Sequence, residues 1–167
     1  PKFSKLFNKD NLPIDYVISP ELEIAKSLQR KLEAPGALDN VPFAENKLRL
    51  LEILIDEKCP IHEIKLKELT NKFPNLNAYI LGVIREDSFK ILKKNDKLQH
   101  NDKAYVIVNS NQMKETLKVF GHNEKIANKI LIIGGGNIGF NLASNIEKNF
   151  DEARVKIIEK DKNRAEL

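Results

Sequence analysis

Lys129-Ile130-Leu131-Ile132-Ile133-Gly134-Gly135-Gly136-Asn137-Ile138-Gly139 decides the reading of this 167-residue chain. An apolar run short enough for a buried strand runs into three glycines and then into a helical pattern. Gly134, Gly136 and Gly139 fill the G-x-G-x-x-G spacing that lets a backbone wrap a diphosphate. Gly134 permits the tight turn out of the strand, and Gly136 removes the Cβ that would hold phosphates away. Gly139 lets the helix lie close on the strand. The helix N-terminus, with Gly135, Asn137 and Ile138 around it, offers unpaired N–H groups and a partial positive charge to an anion.

Working outward, Phe140-Asn141-Leu142-Ala143-Ser144-Asn145-Ile146 continues the helix, and Arg154-Val155-Lys156-Ile157-Ile158 reads as a second strand. Glu159 ends that strand 20 residues beyond Gly139, where an acid would accept hydrogen bonds from ribose hydroxyls. Such an acid disfavours a 2′-phosphate, which selects NAD or NADH over NADP. The neighbouring cations Lys160, Lys162 and Arg164 pull the other way. The bland alternative is an ordinary β-α-β unit whose glycines serve packing alone.

Only 28 residues follow Gly139, enough for one helix and one strand, whereas a full dinucleotide-binding fold needs about six strands. Position 1 is Pro and the single Met is Met113. The expectation is a fragment of a longer protein. With 41% hydrophobic and 31% charged residues the chain fits a globular class. No apolar run approaches the roughly 18 residues of a membrane span, and no signal peptide opens the chain. One cysteine, Cys59, allows no intrachain disulfide, in keeping with a reducing cytoplasm. The net charge of +4 comes from interleaved signs, as in Glu159-Lys160-Asp161-Lys162, which argues against a nucleic-acid stripe.

Upstream, Ile14–Ser19 is a strand candidate. Ser19 is placed to cap a helix with Pro20 at its first position and Glu21 and Glu23 in its first turn. Leu22, Ala25, Leu28 and Leu32 give that helix one apolar face, and Ala34-Pro35-Gly36 ends it. The stretch to Phe43 reads as a linker or crossover. From Lys47 the pattern predicts a β-α-β-β-β-α module. Its strands are Leu48–Ile55, Ala78–Arg85, Ser88–Ile91 and Ala104–Val108, with a hairpin turn at Glu86-Asp87. A short helix carries Leu66, Leu69 and Phe73 and is closed by Pro74. A second, capped by Ser110 or Asn111, carries Met113, Leu117 and Phe120 and stops at Gly121.

This order of parts resembles the TrkA family, the tandem RCK (or KTN) regulatory proteins of bacterial Trk potassium uptake. The resemblance rests on Ile18-Ser19-Pro20-Glu21-Leu22-Glu23, Pro35-Gly36-Ala37, Leu66-Lys67-Glu68-Leu69, Val83-Ile84-Arg85 and Asn101-Asp102-Lys103-Ala104-Tyr105-Val106, followed by the fresh glycine turn. It implies an α/β architecture: an RCK C-terminal-type module flanked by partial Rossmann pieces. Residues 1–34 would be the tail of a first Rossmann domain, 35–46 a linker, 47–122 the C-terminal module and 129–167 the first β-α-β of a second Rossmann domain. Asn101-Asp102 departs from the Gly-Asp usual in such proteins. Asn tolerates positive φ, so the turn is expected to survive.

The resemblance implies regulation and no catalysis. Such a subunit senses NAD or NADH, with ATP or ADP as further candidates, through Gly134, Gly135, Gly136, Asn137, Ile138, Gly139, Glu159 and Lys160. It implies a homo-oligomer, from dimer to tetrameric ring, beneath a TrkH- or TrkG-like potassium translocator, cytoplasmic and peripheral on the inner face of the membrane. The competing reading is an NAD-dependent oxidoreductase or flavoprotein fragment whose catalytic half is missing. A third is a plain oligomerisation module. No catalytic or metal-binding group stands out: His62, His100 and His122 are scattered, and Cys59 before Pro60 reads as packing.

Overall fold

A computed structural model describes residues 16–74 and 76–166 of the chain. The elements run α1 (Pro20–Glu33), β1 (Asp39–Phe43), β2 (Leu48–Leu54), α2 (Leu66–Lys72), β3 (Ala78–Arg85), β4 (Ser88–Lys90), β5 (Lys103–Asn109), α3 (Met113–Val119), β6 (Lys129–Ile133), α4 (Asn137–Asn149), β7 (Arg154–Ile158) and α5 (Lys162–Ala165). They divide into two compact units. One is Leu28–Ile130, and the other joins the described residues up to Ser27 with those from Leu131 onward.

The larger unit is built on a five-stranded antiparallel sheet in the order β1-β2-β5-β3-β4. Alternation along β2 and β5 sends Leu51, Ile53, Ala104, Val106 and Val108 to one buried face, where Leu117 and Phe120 of the α3 end join them. Ala78 and Ile80 of β3 pack on that core, but so does Val83, three positions on. A bulge between Ile80 and Gly82 makes the change of parity, since Ile80 faces Val106 while Gly82 faces Tyr105. Glu86 and Asp87, at φ 52° and 57°, turn the chain from β3 into β4.

α3 ends as its sequence predicts. The N–H of His122 donates to Leu117 O and that of Gly121 to Lys118 O, both at 2.9 Å, the paired bonds of a Schellman motif. Its start differs from expectation. The capping side chain is Asn109, whose Oδ1 accepts from Asn111 N at 3.0 Å and opens a 3-10 turn over Ser110–Gln112 ahead of α3. Ser110 instead donates its hydroxyl to Asn46 O.

Two further expectations change. The stretch read as a linker contains β1, paired antiparallel with β2 from Asp39↔Glu52 to Phe43↔Leu48. Pro42 fits there because β1 is an edge strand, where a missing N–H costs no ladder bond. The hairpin turns through Ala44, Glu45 and Asn46, all at positive φ. In the other direction, Tyr16–Ser19 forms no strand, and Tyr16, Val17 and Ile18 are all exposed. Ile14 and Asp15, the start of that candidate strand, lie outside the described residues. Pro20 does open α1, and Glu33 closes it before Pro35-Gly36.

The smaller unit contains α4, β7 and β6 from Leu131 on, and β6 and β7 pair in a separate sheet. α4 buries Leu142, Ala143 and Ile146, a face spaced at three and four. Among the described residues no helix is long and apolar enough to cross a membrane.

Candidate functional site

The glycine turn joins β6 to α4, and its glycines do not all answer to the same constraint. Gly134 has φ +105°, a conformation that side-chain-bearing residues rarely adopt, and its N–H donates to Ile158 O at 2.8 Å. Gly139 is required by close approach: a Cβ there would lie 2.0 Å from Gly134 O. Gly136 answers to neither. Its φ of −69° suits any residue, and a Cβ there would meet nothing within 4 Å. Neither the backbone nor the packing accounts for a glycine at this position.

Gly136 is also the N-cap of α4, and no side chain caps the helix there. The first-turn N–H groups of a 13-residue helix therefore face the turn without a side-chain acceptor. Opposite them stands Glu159. Its Oε2 accepts from Gly135 N at 2.7 Å and its Oε1 from Asp161 N at 2.9 Å. These N–H groups, Asp161 first and Gly135 second, hold the carboxyl below the usual glutamate range. Each oxygen keeps a further lone pair, so the group still has capacity to accept from a diol.

Gly135, Gly136, Asn137, Phe140, Asn141 and Glu159 line one open cleft in this unit, with Ile157, Arg164 and Ala165 completing it. Of the residues read from sequence as binding, Gly135, Gly136, Asn137 and Glu159 are thus together on the cleft wall. Gly134 and Gly139 shape the turn behind it. Ile138 is half-buried, and Lys160 is exposed outside the lining. Arg164, noted from sequence only as a nearby cation, lines the cleft.

Among the described residues of the larger unit no comparable arrangement is found. His62 and His100 are exposed, with His62 Nδ1 at 2.9 Å from Cys59 O. His122 lies 3.3 Å from Glu124 through Nδ1. Cys59 is buried, and burial pushes its thiol up, away from the reactive thiolate. Among the described residues no three His, Cys, Asp or Glu side chains gather as a metal site. One polar cluster went unread in the sequence. Asp102, fully buried, takes Arg85 Nε and Nη2 at 2.7 Å each and Gln99 N at 2.8 Å. The hydrogen bonds to Asp102 raise the Arg85 guanidinium above its ordinary value. Asn101 before it sits at φ +67°, so the turn keeps the left-handed shape despite lacking glycine. Its signal was an arginine at the end of β3 and an aspartate just before β5, which only the fold brings together.

Residues 50–121, most of this sheet and its helices, match the model of the TrkA-C domain. Over that stretch the chain is similar to the TrkA-C family. Its likeness to TrkA extends well beyond that domain. It is 37% identical over 166 residues to the Trk system potassium uptake protein TrkA of Azorhizobium caulinodans, covering 99% of this chain and 36% of that protein. It is 29% identical over 161 residues to the protein of the same name from Vibrio alginolyticus, covering 96% of this chain and 34% of the relative. The chain thus spans about a third of the length of the curated relatives it matches. Among solved structures, the GsuK RCK domain superposes with a TM-score of 0.50 at 17% identity, over 97% of this chain and 34% of that one. The GsuK channel gives 0.52 at 15% identity, over 98% and 31%. At such identities the likeness shows the RCK fold and nothing finer.

Proposed function

We propose that the glycine turn of this TrkA-like chain holds the diphosphate of NAD or NADH. On this reading its parent protein is the regulatory, nucleotide-sensing subunit of a Trk-type potassium uptake system. The observation that carries the binding reading is Gly136: a glycine that neither φ nor packing requires, at the uncapped N-terminus of a long helix, facing an acid. A diphosphate against the α4 N-terminus needs the space that a Cβ at 136 would fill. Gly135, Gly136 and Asn137 would supply the amide groups and Glu159 the acceptor for ribose hydroxyls. ATP or ADP would offer the same phosphate and ribose to the same groups.

The potassium role draws support from the relatives, which are named as Trk potassium uptake proteins. The reading assigns 129–167 to the start of a second Rossmann domain and 47–122 to the C-terminal module of the first RCK unit. The intact subunit forms a homodimer or tetrameric ring under a TrkH- or TrkG-like translocator. Sensing requires that nucleotide bind one ring conformation better than another. Titration of the full-length protein with NADH by calorimetry tests the reading. Saturable binding without steady NADH oxidation is expected. No binding would remove the reading, and sustained oxidation would replace it with the oxidoreductase one.

A further inference from the structure

We infer that Arg164 reads the adenosine half of the bound nucleotide, laying its guanidinium plane against the base. The inference rests on the nucleotide reading of the cleft and adds to it the residue that recognises the base. Three cationic residues follow Glu159 in sequence, namely Lys160, Lys162 and Arg164, but only Arg164 is on the cleft wall. Its position is fixed by a relay that begins at the glycine turn. Gly135 donates to one oxygen of Glu159, and Asp161 donates to the other. Asp161 then caps α5, its Oδ1 accepting from Asn163 N at 2.9 Å and Arg164 N at 3.2 Å. The carboxylate that would meet the ribose therefore also sets where Arg164 begins.

The guanidinium itself makes no hydrogen bond or ion pair with any described residue, although its charge acts on Glu159. It is a cation directed at a cleft and left uncommitted by the protein. Chain order within a nucleotide places the ligand's parts. With phosphates at the α4 N-terminus and ribose hydroxyls at Glu159, the base leaves the ribose on the side away from the glycines, toward Arg164 and Ala165. A planar, weakly hydrated guanidinium stacks on an aromatic face, which a lysine ammonium does far less well. Ala165 beside it is small and leaves room for a flat ring.

The test is calorimetric titration of the full-length protein and its Arg164→Ala and Arg164→Lys variants with NADH and with ADP-ribose. Arg164→Ala is expected to weaken both ligands about tenfold, between the exposed and the desolvated limits of a cation–π contact. Arg164→Lys should restore less than half of that loss, because charge returns without the plane. Unchanged affinity in Arg164→Ala overturns the inference while leaving the dinucleotide reading intact, and so does full rescue by lysine. If the unaltered protein binds neither ligand, both fall together. Arg164 is exposed, so its replacement leaves the fold of the unit unaltered.

Discussion

Gly136→Asp should stabilise the protein and disable it at once. The residue is the N-cap of α4, extended at φ −69° and ψ −175°, with no capping side chain and open space where a Cβ would stand. Aspartate is among the preferred N-cap residues and improves on glycine by a few tenths of a kcal/mol. Its charge at the positive end of the helix adds about 0.3–1 kcal/mol. Together these predict a gain of about 0.5–1.3 kcal/mol for the unliganded unit. The same carboxylate would stand where a diphosphate needs amide groups, so NADH affinity should fall at least a hundredfold. Amide exchange at the buried α4 residues Leu142 and Ile146 reads the stability, and calorimetry with NADH reads the binding. Gly139→Ala is the control of opposite kind. Its Cβ would overlap Gly134 O, a backbone atom that cannot swing aside, so exchange at the same amides should accelerate. Unchanged NADH affinity in Gly136→Asp would refute the cradle. A loss of more than 1 kcal/mol of stability there would refute the open geometry.

Two other outcomes follow from described contacts. Arg85→Leu strands Asp102, a fully buried carboxylate that would keep the Gln99 N–H as a donor. Breaking such a pair typically costs about 3–5 kcal/mol, and the low end is expected because Arg85 itself keeps 22% of its side-chain surface exposed. Urea unfolding should show the loss, with part of it recovered when Asp102→Asn is added. The Glu159 carboxyl, held low by the N–H groups of Asp161 and Gly135, favours the folded turn at pH above the ordinary glutamate value. That contribution is lost as pH falls through the lowered folded value. The Gly135 amide resonance should titrate with a midpoint below the usual glutamate range, and should lose that inflection in Glu159→Gln.

The glycine turn was legible because its information is local. Gly134, Gly139 and Glu159 each meet a constraint set by a short stretch of backbone, and spacing alone reports it. The strands Leu48–Leu54 and Ala78–Arg85 were legible because their alternation or apolar runs are strong. Asp39–Phe43 was not. It holds a proline and two polar residues, and its pairing is imposed from outside by β2 and by a hairpin whose left-handed residues are Ala44, Glu45 and Asn46. Asn40 in that strand is fully buried, donating from Nδ2 to Arg30 O at 3.1 Å, so a residue read as part of a linker is buried. The α3 start was misread for a related reason. Asn109, Ser110 and Asn111 compete for the cap, and the choice fell to Asn109 as Ser110 found Asn46 in the β1–β2 turn. Arg164 escaped because a cation two residues from another looks alike on either side of a cleft until α5 is placed.

The rims of the five-stranded sheet carry a last consequence. At one rim β1 lacks a donor at Pro42, and at the other β4 runs for only three residues and carries Lys90. Such rims are poor templates for a foreign strand, which guards the sheet against stacking into fibres. If the module self-associates as proposed, contact would be steered away from backbone zippering and onto side-chain surfaces, where Tyr79 and Phe89 stand more than half exposed.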